Sequence, residues 1–449
     1  MKRLMACNPH FKYHPRCLPL CITHLSYADD LLLFTLGDRL STSLMFECLT
    51  RFGDMLGVKV NLEKSNIYLA GMNADEKDCI LGSLGISEGV LPFRYLGIPL
   101  YSSRLKASDY GVLLDAIRRI IASWPAHTLS YAGKFDLIRS VIQRVECYWL
   151  SILPIPEYVV KDIERLCRKF VWPAKRPPIA WDRVCRPKED GGLGIKDISV
   201  WNKALLAKTL WKIHLKKDSL WIKWINEEFS EYGDVWHWVW KKELSKLIKE
   251  LLSIRDFIVD RVGSVDGAID EMERWFGPHN GLRKAYAFFI GGNGIWPWKP
   301  LVLKSYILPK HKIILWLLSH GKLFTRDRLG FVDKKICPLC KTGEESNAHL
   351  FFDCGVLGFL WNRVRDWLGM RKRMTSRHSI LQAFRGIYRG SSMMARMRVV
   401  ALAACIYQVW TARNRASFED IDPVMDEMFS RVPILVFRCI PSVPEISLT

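Results

Sequence analysis

Two acids stand side by side in Tyr27-Ala28-Asp29-Asp30, between Leu25 and the apolar run Leu31-Leu32-Leu33-Phe34. Adjacent carboxylates on a rigid support hold divalent cations. A pair of such cations drives in-line displacement at phosphorus, one ion activating the attacking oxygen and the other stabilising the leaving group. A second set of reactive groups lies far downstream. Cys337-Pro338-Leu339-Cys340 is followed by His349 and Cys354, a C-x2-C-x8-H-x4-C pattern within 18 residues. Zinc takes a closed tetrahedron of thiolate and imidazole, and a two-residue gap lets one turn offer two sulfurs to one ion. Four protein ligands leave no open position. This site is therefore expected to be structural, its zinc stabilising a small subdomain by about 10 kcal/mol. The plain alternative is three buried thiols and a core histidine.

The elements that must position these groups follow from residue spacing. A strand, a tight turn and a second strand would carry Asp29 and Asp30 at a hairpin tip. From Ser41 onward Leu44, Cys48, Phe52 and Met55 recur at helical spacing, and Gly57 ends that helix. Val58-Lys59-Val60, Ile67-Tyr68-Leu69 and Arg94-Tyr95-Leu96-Gly97-Ile98-Pro99-Leu100 read as short strands, the last closed by its proline. Residues 22–100 thus read as an α+β layer with the acids at one end. From residue 108 the pattern is helical, with Val112, Leu113, Ala116, Ile117, Ile120 and Ile121 on one apolar face. A second helix is expected from near Gly133 to Trp149 and a third from Glu157 to Phe170. Pro177-Pro178 and Gly191-Gly192-Leu193-Gly194 bracket a loop-rich stretch. Beyond it Trp236-His237-Trp238-Val239-Trp240 alternates like a strand with one aromatic face, which suits base stacking or, more commonly, core packing.

Composition bounds the partners. The 449 residues allow two to four domains, and 49% apolar with 25% charged content is globular rather than disordered. Lysine and arginine number 66 against 46 acids, a net +20, which suits a polyanion, most commonly RNA or DNA. Between Trp367 and Phe418 there is no acid, yet Arg371, Lys372, Arg373, Arg377, Arg385, Arg389, Arg396, Arg398, Arg413 and Arg415 lie there. Arginine favours bidentate phosphate contact, and a solvated basic helix face is the alternative. The earlier helices carry Arg118, Arg119, Lys134 and Arg139, placed to straddle a duplex backbone or to lie in solvent. The 13 cysteines are mostly single and set among apolar residues, as reduced buried thiols are. No signal peptide is visible, and the longest apolar run, Val399 to Tyr407, is too short to span a bilayer. The expectation is an intracellular protein of the nucleus or cytoplasm with no membrane partner.

Several motifs in one order carry a resemblance. His24-Leu25-Ser26-Tyr27-Ala28-Asp29-Asp30-Leu31-Leu32-Leu33-Phe34 resembles the central palm motif of reverse transcriptases from non-LTR (LINE-type) retrotransposons, especially those of plants. Gly57-Val58-Lys59-Val60-Asn61 with Lys64-Ser65, and then Tyr95 to Leu100, are similar to the two motifs that follow in that family. Lys188 to Trp211 resembles its connector. Residues from about 280 to 368, with Phe324-Thr325-Arg326-Asp327-Arg328-Leu329 and the four metal-type residues, resemble its zinc-binding domain. The resemblance implies the carboxy-terminal half of a palm over 1–100, a helical thumb over 101–175 and a Trp-rich connector over 176–279. It further implies a zinc-binding domain over 280–368, and the arginine-rich remainder, 369–449, reads from its charge as a basic helical tail.

The same resemblance implies roles. Asp29 and Asp30 would hold magnesium near the primer end. Tyr27 and Lys64 would meet the incoming nucleotide. Arg94 and the strand around it would support the primer. Apart from the resemblance, the basic stretch after Trp367 offers Arg371, Lys372 and Arg373 for nucleic-acid contact. The family's fingers and first palm half, with a third metal-binding aspartate, are not matched in these residues, and neither is a ribonuclease H domain. The expectation is RNA-directed DNA polymerase ancestry, with nucleic-acid and zinc binding but no polymerase activity of this polypeptide alone.

Overall fold

The structure is a computed structural model that describes residues 5, 8–101, 105–173, 177–277, 281–292, 296–330, 332–370, 373, 375–384 and 392–440. The chain is mixed but mostly helical. Its six short strands pair only within three separate two-stranded ribbons, and no strand joins them into one sheet among the described residues. The expected α+β class therefore holds in its coarse form, while a continuous palm-like sheet is not formed. The chain divides into two compact units, each built from non-contiguous segments.

The first unit holds Met1–Val112, Ser151–Pro154 and Lys203–Ala285. Strand β1 (His24–Tyr27) pairs antiparallel with β2 (Asp30–Leu33), Tyr27 opposite Asp30, and Ala28 turns the chain with φ 51°. This is the expected hairpin. The helix Arg39–Leu56 starts where the Asp38 side chain accepts the Ser41 N–H, and it packs Met45 and Cys48 with Met5 and Phe11. Phe52 and Met55, expected on the apolar face, are instead exposed, Met55 by 84%. Val58-Lys59-Val60 is not a strand. The Val58 N–H is taken by the Gly53 carbonyl as the helix closes, which leaves no extended ladder to join.

Residues 66–69 form only the two-residue β3 (Asn66–Ile67), parallel to β4 (Ser87–Glu88). The stretch 94–100 is a hairpin rather than one strand. Leu96 and Gly97 both take positive φ, 52° and 79°, and fold β5 (Phe93–Tyr95) onto β6 (Ile98–Leu100). Two consecutive left-handed residues make the tight turn whose twist suits a hairpin, and glycine permits it. The tryptophan run is not a strand either. Arg255 Nη1 donates to the carbonyls of Val235, Trp236 and Trp238 at 3.0, 3.3 and 2.7 Å and curls this segment. Trp236 and Trp238 are buried, Trp238 stacking on Phe229 at 4.5 Å, whereas Trp240 is exposed.

The second unit holds Leu113–Leu150, Ile155–Asn202 and Tyr286–Thr449. The three expected helices are present. They are Gly111–Ala122, then Tyr131–Leu137 continued through a π-turn at Ile138–Ile142 into Gln143–Ile152, and Glu157–Val171. Ile117, Phe135, Ile138, Ile142, Ile163 and Val171 are among their buried residues. Later in the chain the helix Pro309–Ser319 buries His311 and Ile313 to Leu318 and packs against the long helix Met393–Phe418, which also meets the helix Met425–Cys439. The apolar run Val399 to Tyr407 is only the middle of this 26-residue helix. By length and composition it could cross a bilayer, but 67% of its apolar window is buried inside the protein, as in the core helix of a soluble fold.

Candidate metal centre

The knuckle is built by a short ribbon. Ile336 pairs with Glu344, and the Cys337 N–H donates to the Gly343 carbonyl at 2.7 Å. Between them the chain turns back through Lys341, at φ 58°, whose N–H donates to the Cys337 carbonyl at 2.9 Å. This loop presents the Cys337 and Cys340 sulfurs on one side. A π-turn, His349–Asp353, supplies the other two donors. Its wider loop lets the Cys354 N–H reach the His349 carbonyl at 2.8 Å, so residues five apart face the same way. Cys354 then caps the helix Gly355–Trp367.

The four donor atoms all lie within 4.8 Å of one another, with Cys340 Sγ 3.3 Å from His349 Nε2. Donors around a zinc ion at bonds of about 2.0–2.3 Å stand roughly 3.5–3.8 Å apart, so a slight contraction would close the tetrahedron. Cys337 and Cys354 are buried, and Cys340 and His349 half-buried. Space for the imidazole depends on Gly343. A Cβ there would meet His349 Cε1 at 2.6 Å.

The electrostatics favour thiolate at Cys337 and Cys340. A hydrogen bond from Cys354, helped by the Leu339 and Cys340 N–H groups, pulls the Cys337 thiol down to about 5 against its burial, and Cys354 is pushed up in turn. Burial acts to raise Cys340, but hydrogen bonds from Thr342, Gly343 and His349 outweigh it and bring that thiol below its ordinary value. Burial acts to lower His349, and its contacts with Cys340 and Cys337 raise it overall. Proton sharing of this kind follows when three thiols and an imidazole pack at ligand spacing. The donor set and burial fit zinc. With four protein donors, no position is left for a substrate.

Comparison with known proteins agrees with this geometry. Residues 281–361 match the family model for zinc-binding in reverse transcriptase. This segment is a reverse-transcriptase zinc-binding domain. A protein of Arabidopsis thaliana provisionally named a ribonuclease H protein is 25% identical over 187 residues, 40% of this chain and 30% of that protein. An uncharacterized mitochondrial protein of the same plant is 33% identical over 72 residues, 15% of this chain and 47% of that protein. The chain thus spans less than half the length of either relative.

The zinc-binding domain is supported from outside its own ligands. Glu345 is fully buried, and Arg413, from the long helix, donates to both of its oxygens at 2.6 and 2.8 Å. Thr325, within the Phe324–Leu329 motif, is also buried and accepts from Asn347 Nδ2 at 3.4 Å. The sequence reading grouped Arg413 with phosphate-binding arginines, and the structure corrects this. The available signal was helical spacing: Leu402, Ile406, Val409 and Arg413 fall on one buried stripe. Glu345 carried no comparable signal, because it adjoins Glu344 in what reads as a polar turn.

The remaining expected residues are not members of this cluster. Tyr27, Asp29 and Asp30 are exposed on the hairpin, and no third carboxylate converges on the two acids among the described residues. Lys64 is exposed on a short 3-10 turn, and Arg94 is exposed on β5. Arg118 pairs with Asp115 at 2.6 Å, and Arg119 Nε donates to the Asp115 carbonyl at 3.4 Å. Arg139 pairs with Asp136 and also donates to the Leu193 carbonyl at 3.1 Å. Lys134 is not a surface contact. It is buried over the Phe170 ring at 5.7 Å, where burial pushes its ammonium below the ordinary value. Arg371 and Lys372 fall outside the described residues, while Arg373 is exposed.

Proposed function

We propose that the chain is the carboxy-terminal part of a LINE-type RNA-directed DNA polymerase, and that its zinc-binding domain is a structural platform for nucleic-acid contact. The convergence of Cys337, Cys340, His349 and Cys354 inside the matched segment carries this reading. The net charge of +20 supports a polyanionic partner, and the Arabidopsis relatives support a plant retroelement lineage. Bound zinc would supply folding energy to residues 337–354 and take no part in chemistry.

In this reading Asp29 and Asp30 are two of the carboxylates of a magnesium site, which stays incomplete until a third acid joins them. These 449 residues by themselves do not extend a primer. The second reading, a non-catalytic zinc-containing nucleic-acid-binding protein, is favoured by the same pair of acids standing exposed with no third acid beside them among the described residues. Primer extension with magnesium separates the two. Neither reading gives synthesis with the chain alone, but only the first gives template-dependent synthesis when an amino-terminal fingers and palm segment is supplied in trans. Robust synthesis by the chain alone would contradict both.

A further inference from the structure

We propose that the Glu345–Arg413 ion pair couples zinc binding at the knuckle to the docking of the long helix, so that Arg413 is a positioning residue for the metal site. The proposal rests on the zinc reading above. Glu345 leaves the ribbon one residue after Glu344 pairs with Ile336. Its N–H donates to the Lys335 carbonyl at 2.7 Å, and its carbonyl accepts the Asp327 N–H at 3.3 Å. Its carboxylate also accepts the Arg326 N–H at 2.7 Å, in addition to both bonds from Arg413. The acid is therefore held in place by the same backbone that forms the knuckle. Arg413 lies 68 residues away in sequence, on the buried stripe with Ile406 and Val409.

Both side chains are buried, 0% and 3% exposed, and such groups tolerate loss of water only while they hold each other. If the knuckle unfolds on zinc loss, Arg413 is stranded in an apolar face. If the helix undocks, Glu345 is stranded beside the ligands. Each event makes the other more favourable, and linkage makes the effect reciprocal: docking strengthens zinc binding by the factor by which zinc strengthens docking. An ion pair nearby, from Lys341 to Asp422 in the segment after the helix, at 2.8 Å, is exposed and adds little.

Hydrogen exchange on the full chain, before and after zinc removal by a chelator, tests the coupling. Chelation is expected to speed exchange across residues 393–418 by about tenfold or more, while the helix Glu157–Val171 is unchanged. In competition with a chromophoric chelator, Arg413→Met should weaken zinc binding about tenfold, and the double variant Glu345→Met with Arg413→Met should recover most of it. A chain that binds one zinc but shows unchanged exchange over 393–418 overturns the coupling alone. A folded Arg413→Met that binds zinc as tightly as the parent overturns the positioning role. No zinc uptake at all overturns the metal reading and this proposal with it. If Arg413→Met does not fold, exchange on the parent chain decides.

Discussion

Gly343 shows how a residue with no chemistry of its own sets the metal site. Its missing side chain is the space that the His349 ring occupies. Gly343→Ala should therefore displace the imidazole and weaken zinc binding by about 10- to 100-fold, as loss of ligand support commonly does. Chelator competition measures this, and an unchanged affinity would show that the ring has another place to sit. Lys134 makes the opposite point. Its charge looked available for phosphate, yet its stem and ammonium are in the core of the second unit. Lys134→Met is expected to leave affinity for an RNA–DNA hybrid unchanged and not to lower the denaturation midpoint. The Cys337, Cys340, His349 and Cys354 cluster was legible in the sequence because ligand-type residues at this spacing are brought together by short turns. Gly343 and Glu345 were not, because their roles come from what faces them across the fold.

At the scale of elements, the helix Gln143–Ile152 carries Glu146 into the core, facing Glu164 and Lys196. Burial, then Glu164, raises its carboxyl to about 8 despite Lys196, while burial lowers Lys196 to about 8. An acid raised on folding binds more protons in the folded state, so its contribution to stability falls as pH rises from about 4.5 to about 8. A lysine lowered on folding binds fewer, so its contribution recovers between about 8 and about 10.5. The two together place a stability minimum near pH 8. Glu146→Gln should flatten the limb below it, as read from denaturant midpoints across pH. An unchanged profile would mean that Glu146 ionises freely in the folded chain.

Elements with a strong local signal were legible: the Asp29–Asp30 hairpin, the three helices of residues 111–171 and the C-x2-C turn. Short strands fared worse. Val58-Lys59-Val60 and the tryptophan run have strand-like alternation, but their backbone groups are claimed by a helix end and by Arg255, which local pattern does not report. Residues 94–100, expected as one strand closed by its proline, split at Leu96-Gly97, where the glycine is the local signal for a turn.

At the scale of the molecule, the grouping of distant segments into two units was not legible, since hydrophobic period says which face is buried and not against what. The basic charge behaves similarly. The net +20 is real, yet Arg413, Arg398 and Arg139 are engaged within the fold. Nucleic-acid binding should therefore rest on the exposed remainder and weaken steeply with salt, with a slope of about −0.7 to −0.9 per phosphate neutralised in a log–log plot. Binding that ignores salt would remove the electrostatic account.

If Cys337, Cys340, His349 and Cys354 hold one zinc ion, elemental analysis of the purified full chain should find one zinc per chain, and the variant Cys354→Ser should lose it. A parent free of zinc, or a variant that keeps its full complement, would remove the metal site.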